Sequence, residues 1–220
     1  MYYAESENQI EVYLIRHGAT NANREHRYLG RTEEPLSEEG REELKAFQRQ
    51  GIYPDPASLQ ALFVSPMERC RETAELLFRD CEQHIIPEFR EMDFGLFEGK
   101  NYQDLQGDAR YQTWIDSNGT IPFPEGESRA EFIDRVCAGM ENAADYLRNY
   151  AQSNMCRDCG SDREVTVAAV VHGGTIMALL SHYGGGDYYD YQVENAGGFT
   201  CRILIAGEQI RFVTQERGFR

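Results

Sequence analysis

The chain is short of positive charge. Its 22 lysine and arginine residues stand against 37 aspartate and glutamate, a formal net charge of -15 over 220 residues. Nothing gathers the basic residues into one segment, which argues against nucleic acid or an anionic membrane surface as partner. The deficit does not exclude a small phosphate-bearing molecule. At about 20 Å in salt one screened charge repels a dianion by about 0.03 kcal/mol, so the whole surplus amounts to about 0.5 kcal/mol, less than one arginine in contact supplies. The sequence also lacks an apolar run of membrane-spanning length, and its opening, MYYAESENQIE, carries carboxylates where a secretion signal carries lysine or arginine. A cytoplasmic protein is the expectation. The 6 cysteines are irregularly spaced and make no disulfide framework. Cys156-Arg157-Asp158-Cys159 has no second C-x-x-C to complete a zinc site, so it is read as part of a polar connection over 151–164. No linker divides the chain, and residues 1–220 are read as one domain.

What is present is a repeated arrangement. The apolar stretch Ile10 to Ile15 runs into Arg16-His17-Gly18-Ala19, and Val165 to Val171 runs into His172-Gly173-Gly174. Each places a histidine at the end of a buried-type strand, facing a glycine turn. Between them, Ser37 opens a predicted helix over 38–50 that Gly51 stops, and Ala61 to Val64 is a short strand. Ser65-Pro66-Met67-Glu68 reads as a serine cap, a proline at the first helical position and a glutamate at the third, which puts Arg69 in a first helical turn just past a strand end. Ile85-Ile86 before Pro87 is a strand candidate. Residues 92–124 read as an irregular, lid-like insertion holding Phe94, Phe97, Tyr102, Tyr111 and Trp114. Ser128 and Glu131 form a second cap pair, opening a long helix to about Tyr150. A helix from about Thr175 to His182, a glycine triplet at 184–186, and strands at 199–205 and 210–214 complete the chain. Strands alternating with helices imply an α/β three-layer sandwich, a largely parallel sheet flanked by helices.

In such a sheet ligands bind beyond the carboxyl ends of the strands. Arg16, His17, Arg69 and His172 all lie there, and convergent cations make an anion pocket. An arginine fork grips two phosphate oxygens, and the Gly18 and Gly173 turns let backbone amides approach the same group. Singly, each residue is explained by packing or solvation; together at matching strand ends they are not. Zinc wants three or more protein ligands, and arginines would repel it, so a nucleophilic histidine is favoured over a metal centre. Asn23 on its own reads as a turn residue.

The blocks LIRHGATNAN with RYLGRTEEPLSEEG (14–40), SPMERCRETAELL (65–77), EMDFGLFEG (91–99), PEGES (124–128) and VVHGG (170–174) resemble the histidine phosphatase superfamily, which contains phosphoglycerate mutases and many phosphomonoesterases. The resemblance implies a phosphoglycerate mutase-like fold, a small-molecule phosphate ester as substrate and no cofactor or metal. It implies that His17 is the residue phosphorylated in turnover, that Arg16, Arg69 and His172 bind the phosphoryl group with Asn23 touching it, and that Glu91 donates the proton. Neighbouring arginines would keep the imidazole of His17 neutral. Residues 100–124 are short, with Lys100 and Arg110 as their cations, which favours a hydrolase over a mutase. EMDFGLFEGKNYQDL, a tryptophan and PEGES look most like the alpha-ribazole phosphatase branch, whose members dephosphorylate a cobalamin lower-ligand nucleoside. A phosphoglycerate mutase and a broad-specificity sugar-phosphate phosphatase remain alternatives. Tyr188, Tyr189 and Tyr191 are open between a pocket and an interface.

Overall fold

The computed structural model describes residues 8–154, 165–206, 209–216 and 218–219. The Cys156 to Cys159 segment lies outside them. In chain order the elements are β1 (Asn8–Arg16), α1 (Asn21–Arg24), α2 (Glu38–Arg49), β2 (Leu59–Val64), α3 (Glu68–Leu77), β3 (Gln83–Ile85), α4 (Tyr102–Leu105), α5 (Ala109–Asp116), α6 (Arg129–Asn154), β4 (Val165–Val171), α7 (Gly173–Gly184), β5 (Gly198–Ala206) and β6 (Gln209–Glu216). The six strands form one sheet in the order β3-β2-β4-β1-β5-β6. β1 to β4 pair in parallel, while β5 and β6 are antiparallel additions at one side.

Side chains alternate across the sheet, so each central strand feeds two cores. Val12 and Leu14 of β1 and Val167 and Ala169 of β4 face the layer of α6 and α7, where they meet Phe132, Val136, Met140, Ile176 and Leu179. Ile15, Ala168 and Val170 face the other way, against Leu44 of α2 and Cys70, Ala74 and Leu77 of α3. This is the expected sandwich. For the strand ends the register matters more than the layers: Arg16 pairs with Val171 and Val64 with Val170, so β1, β2 and β4 end side by side.

Several expected boundaries shift for local reasons. Ser65 does not cap α3; Met67 occupies the cap position without a side-chain bond, and the Ser65 hydroxyl lies 2.7 Å from His172 Nε2 while accepting from the Met67 N–H at 3.5 Å. The Ser128 and Glu131 pair does form its reciprocal cap, with the Glu131 N–H donating to Ser128 Oγ at 3.2 Å and the Ser128 N–H donating to Glu131 Oε2 at 2.9 Å. α6 runs on to Asn154, no glycine or proline standing among residues 151–154 to stop it. The stretch 92–124 is more ordered than expected: a turn at Gly95–Phe97 precedes α4, capped by Asn101, and α5, capped by Asp108. Phe97 at its centre is fully buried among Tyr28, Tyr111, Trp114 and Phe123.

The loop after β1 is clamped from the α2 side. Ser37 donates through both N–H (2.9 Å) and Oγ (3.1 Å) to the carbonyl of Ala19. Gly40 packs so closely that an added Cβ would lie 2.2 Å from the same oxygen, a backbone atom that cannot step aside. Gly40→Ala is therefore expected to destabilise the fold by about 1–3 kcal/mol through overpacking. Urea unfolding measures it; an unchanged midpoint would show that α2 does not fix this loop.

Candidate active site

The strand register brings together the residues at three strand ends. His17 follows β1, His172 follows β4 and Ser65 follows β2, and the two imidazoles sit with ring centres 5.1 Å apart at 68°. Nδ1 of His17 lies 2.8 Å from the carbonyl oxygen of Gly18. A carbonyl only accepts, so Nδ1 carries the ring proton and Nε2 keeps its lone pair. The main chain of His17 is fixed as well: its carbonyl accepts from Asn195 Nδ2 at 3.2 Å and from the Ala196 N–H at 3.1 Å. His172 is anchored by Ser65 Oγ, 2.7 Å from its Nε2. Cys70 Sγ rests 3.5 Å from the same nitrogen, with burial pushing its thiol up to about 12. It packs against the ring as a neutral group.

The two arginines make an unusual pair. Arg69 is completely buried, with Nη2 donating to the carbonyls of Gly30 (2.8 Å) and Leu29 (3.3 Å) and Nη1 to Thr32 (3.0 Å). Arg16 Nη1 donates to the carbonyl of Val193 at 2.6 Å. Neither has a carboxylate within ion-pair distance among the described residues, and the Nε atoms of both are buried with no hydrogen-bond partner among them. Burial lowers the pKa of Arg16, opposed by Glu91 and Glu194 and reinforced by Arg69. Two guanidinium groups close enough to repel, each with an unmatched donor, form a site for an anion.

Glu91 reaches this group from the segment after β3. Its Oε1 accepts from the Met92 N–H at 2.9 Å and its Oε2 from the Gly174 N–H at 3.4 Å. Withdrawal from water raises its pKa, against the pull of these hydrogen bonds and of Arg69 and Arg16. Gly174 is glycine for a visible reason, since a Cβ there would lie 2.4 Å from Glu91 Oε1. α7 starts at Gly173, earlier than the sequence suggests, so both glycines belong to its first turn. Arg135 clamps the segment: Nη1 donates to the carbonyls of Glu88 (2.7 Å) and Arg90 (2.9 Å), while Glu127 receives Nη2 at 2.7 Å.

Arg16, His17, Arg69, Glu91, His172 and Gly173 are thus brought together. One expected phosphate contact is placed differently. The Gly18 N–H donates to Thr73 Oγ1 at 3.1 Å and is spent there, which corrects the expectation that it reaches an anion. Gly18 is needed instead because a Cβ would meet Leu44 Cδ1 at 2.6 Å. Asn23 sits in the first turn of α1, its Oδ1 accepting from the Thr20 N–H and from Asn195 Nδ2, both at 3.2 Å, so its oxygen braces the loop around His17. Beyond the arginine pair opens a cleft of about 490 Å³, lined by Arg16, Glu91, Trp114, Arg129, Tyr188 and Glu194 among others. Sequence reasoning misses Ser65, Thr73, Asn195 and Arg135 as supports. The serine and threonine flank Arg69 in one short stretch, a usable signal; the other two have none.

The chain as a whole has relatives among known proteins. The chain belongs to the histidine phosphatase superfamily (branch 1), whose sequence profile matches residues 12–214. It is 31% identical over 140 residues to GpmB of Escherichia coli O1:K1 / APEC, named a probable phosphoglycerate mutase, in an alignment covering 62% of this chain and 64% of that protein. The match therefore spans just under two thirds of the curated relative's length. Among solved structures it is similar to the alpha-ribazole phosphatase from Shigella flexneri (TM-score 0.72, 24% identity, 93% of this chain and 95% of that one). It is also similar to a mutant phosphoserine phosphatase from Entamoeba histolytica in complex with phosphoserine (TM-score 0.66, 22% identity, 94% and 96%). At these identities the likeness establishes the fold.

Burial holds both imidazoles well below their ordinary range near 6.5, with Arg69 next in effect for each and Arg16 acting the same way. Desolvation thus outweighs the arginines to which the sequence points. An unfolded histidine takes up a proton as pH drops below about 6.5 while these two stay neutral in the fold, so acidification favours the unfolded chain. Glu91 acts oppositely, its stabilising contribution being lost as pH rises from about 4.5 through its raised folded pKa. Between pH 7 and 5.5 the loss of stability is expected to be steeper in the intact chain than in His17→Gln, by up to about 1.4 kcal/mol per pH unit. Equal slopes in the two urea series would show that His17 titrates normally.

Proposed function

We propose that this chain is a metal-independent phosphomonoester hydrolase that works through a phosphohistidine at His17. The observation that carries the reading is His17 itself: Nδ1 is tied to Gly18 and Nε2 is left as a neutral nucleophile beside two guanidinium groups with unmatched buried donors. In the first step Nε2 attacks phosphorus in line, the bond from phosphorus to the ester oxygen breaks, and Glu91 gives its proton to the departing alcohol. In the second, a water attacks the phosphohistidine, Glu91 takes the water's proton, and inorganic phosphate leaves with His17 restored. Arg16 and Arg69 meet the charge on the equatorial oxygens, His172 contributes from the adjacent strand end, and Gly173 leaves room for the anion next to Arg16. The raised pKa of Glu91 suits it to hold a proton before the first step.

For the ester, an alcohol with a flat ring of the alpha-ribazole 5'-phosphate kind is supported by the aromatic wall of Tyr28, Phe94, Trp114 and Phe123 along the cleft and by the likeness in fold to the Shigella enzyme. A mutase is the second reading, favoured by the 31% identity to GpmB. Against it, Lys100 and Arg110 do not line the cleft, and Arg110 is paired with Asp108 at 2.7 Å.

His17→Ala is expected to abolish hydrolysis of a nitrophenyl phosphate, which EDTA leaves unchanged in the intact chain; activity surviving in the variant would end the phosphohistidine scheme. Glu91→Gln is expected to lower kcat/KM, which reports only the steps through phosphorylation of His17, by about 10²–10⁴ on an alkyl phosphate and far less on the nitrophenyl ester, whose leaving group departs without a proton. Equal losses on the two would remove Glu91 as the acid.

A further inference from the structure

The cleft holds another guanidinium that the proposed chemistry does not use. Arg129, the first residue of α6, lies with its guanidinium carbon 5.1 Å from the ring centre of Tyr188 and 4.9 Å from that of Tyr189. Its Nη2 donates to the carbonyl of Asn118 at 2.7 Å and to Tyr189 Oη at 3.1 Å. In a chain with a net charge of -15, no carboxylate among the described residues is within ion-pair distance of it. Trp114 lines the same cleft, and its indole Nε1 is buried with no hydrogen-bond partner among the described residues.

These groups surround one point. A Cβ placed on Gly119, itself at φ +65°, would lie 2.8 Å from Tyr189 Oη, 3.0 Å from Trp114 Cζ2 and 3.2 Å from Arg129 Nη2. The end of α5, the start of α6 and, some sixty residues further on, the turn after α7 therefore converge. Tyr188 links the cluster back to the reaction centre, its hydroxyl donating to the carbonyl of Gly174 at 3.4 Å. Aromatic faces offer a planar group area without demanding a pattern of hydrogen bonds, whereas a guanidinium without a counter-ion and an unpaired indole N–H demand acceptors.

We propose that Arg129 is a specificity-determining residue: with Trp114, Tyr188 and Tyr189 it receives the alcohol portion of the substrate and selects a planar ring bearing an acceptor oxygen, best a carboxylate, over a bare ring. The assignment rests on the phosphomonoesterase reading and extends it to the leaving group, where it favours a ring with its own acceptor oxygen over the oxygen-free base of the alpha-ribazole kind. The competing role for Arg129 is a brace for the loop at Asn118, which would make the residue indifferent to what the ring carries.

Phenyl phosphate and 4-carboxyphenyl phosphate separate the two roles. In Arg129→Met, which keeps an apolar stem, the ratio of kcat/KM for the carboxylated over the plain ester is expected to fall about tenfold, through KM, with part of the loss restored by Arg129→Lys. An unchanged ratio would overturn the proposal in favour of the brace. Trp114 is the single tryptophan of the chain, so its fluorescence reports binding of the product-like 4-hydroxybenzoate without any turnover. The intact chain is expected to bind it about tenfold more tightly than Arg129→Met. Equal affinities, or no binding by the intact chain, would overturn the proposal; binding that depends on Arg129 in a protein that hydrolyses neither ester would uphold the subsite and refute the phosphatase reading.

Discussion

The parallel pairing of β1 with β4 is the constraint on which the site depends. With Arg16 opposite Val171, the residues after them must emerge at one level of the sheet edge, and the next residue on each strand is a histidine. A register slip of one residue would turn every side chain of β1 to the other face, exchanging the Val12 and Leu14 core for the Ile15 core, so the same packing that stabilises the sandwich fixes the imidazoles in place. β2, in register with β4 through Val64 and Val170, adds Ser65 at the same level and gives His172 its anchor.

Electrostatics then works against the acidic character of the rest of the chain. Arg16 and Arg69 each donate to backbone carbonyls, yet both hold buried Nε–H groups with no partner among the described residues and sit close enough to repel. An unmatched buried donor costs on the order of 1–3 kcal/mol, so the fold gives up stability here. The carbonyls of Leu29, Gly30 and Thr32 that hold Arg69 are dipoles rather than charges, and they orient the guanidinium without cancelling it. Its charge remains available to an anion, and with burial it keeps both histidines neutral.

What can be read in the sequence follows from how local each feature is. β4 spans the residues expected from its apolar run, and the Ser128 and Glu131 cap is legible because all its atoms lie within one helical turn. Ser65 misleads because a serine before proline and glutamate looks like a cap, and only the fold reveals His172 as the partner of its hydroxyl. Gly18 misleads because sequence shows that a turn is glycine but not where its N–H points. Glu91 rests on resemblance alone at the level of sequence: three carboxylates stand within eight residues of one another, and Gly174 and Arg135, which single out Glu91, come from distant segments. Arg129 lies between the two capping residues of α6 and gives no sign of its own, since Tyr188, Tyr189 and Trp114 reach it only through the tertiary fold.

The cleft consequently has two ends built by different means. The phosphoryl end is made by strand termini and the first turns of α3 and α7, elements locked by the sheet, and its members announce themselves in short sequence blocks. The other end is made by α5, the start of α6 and the turn after α7, joined to the rest by the aromatic cluster around Phe97, the contact of Tyr188 with Gly174 and the ring contact of Tyr191 with Phe199 of β5. Side chains there can change without disturbing the strand register. A scaffold divided in this way can keep one reaction while altering the alcohol it accepts, which is why family membership defines the phosphoryl chemistry far better than the leaving group, and why the residues that choose the ester belong among Arg129 and its aromatic neighbours.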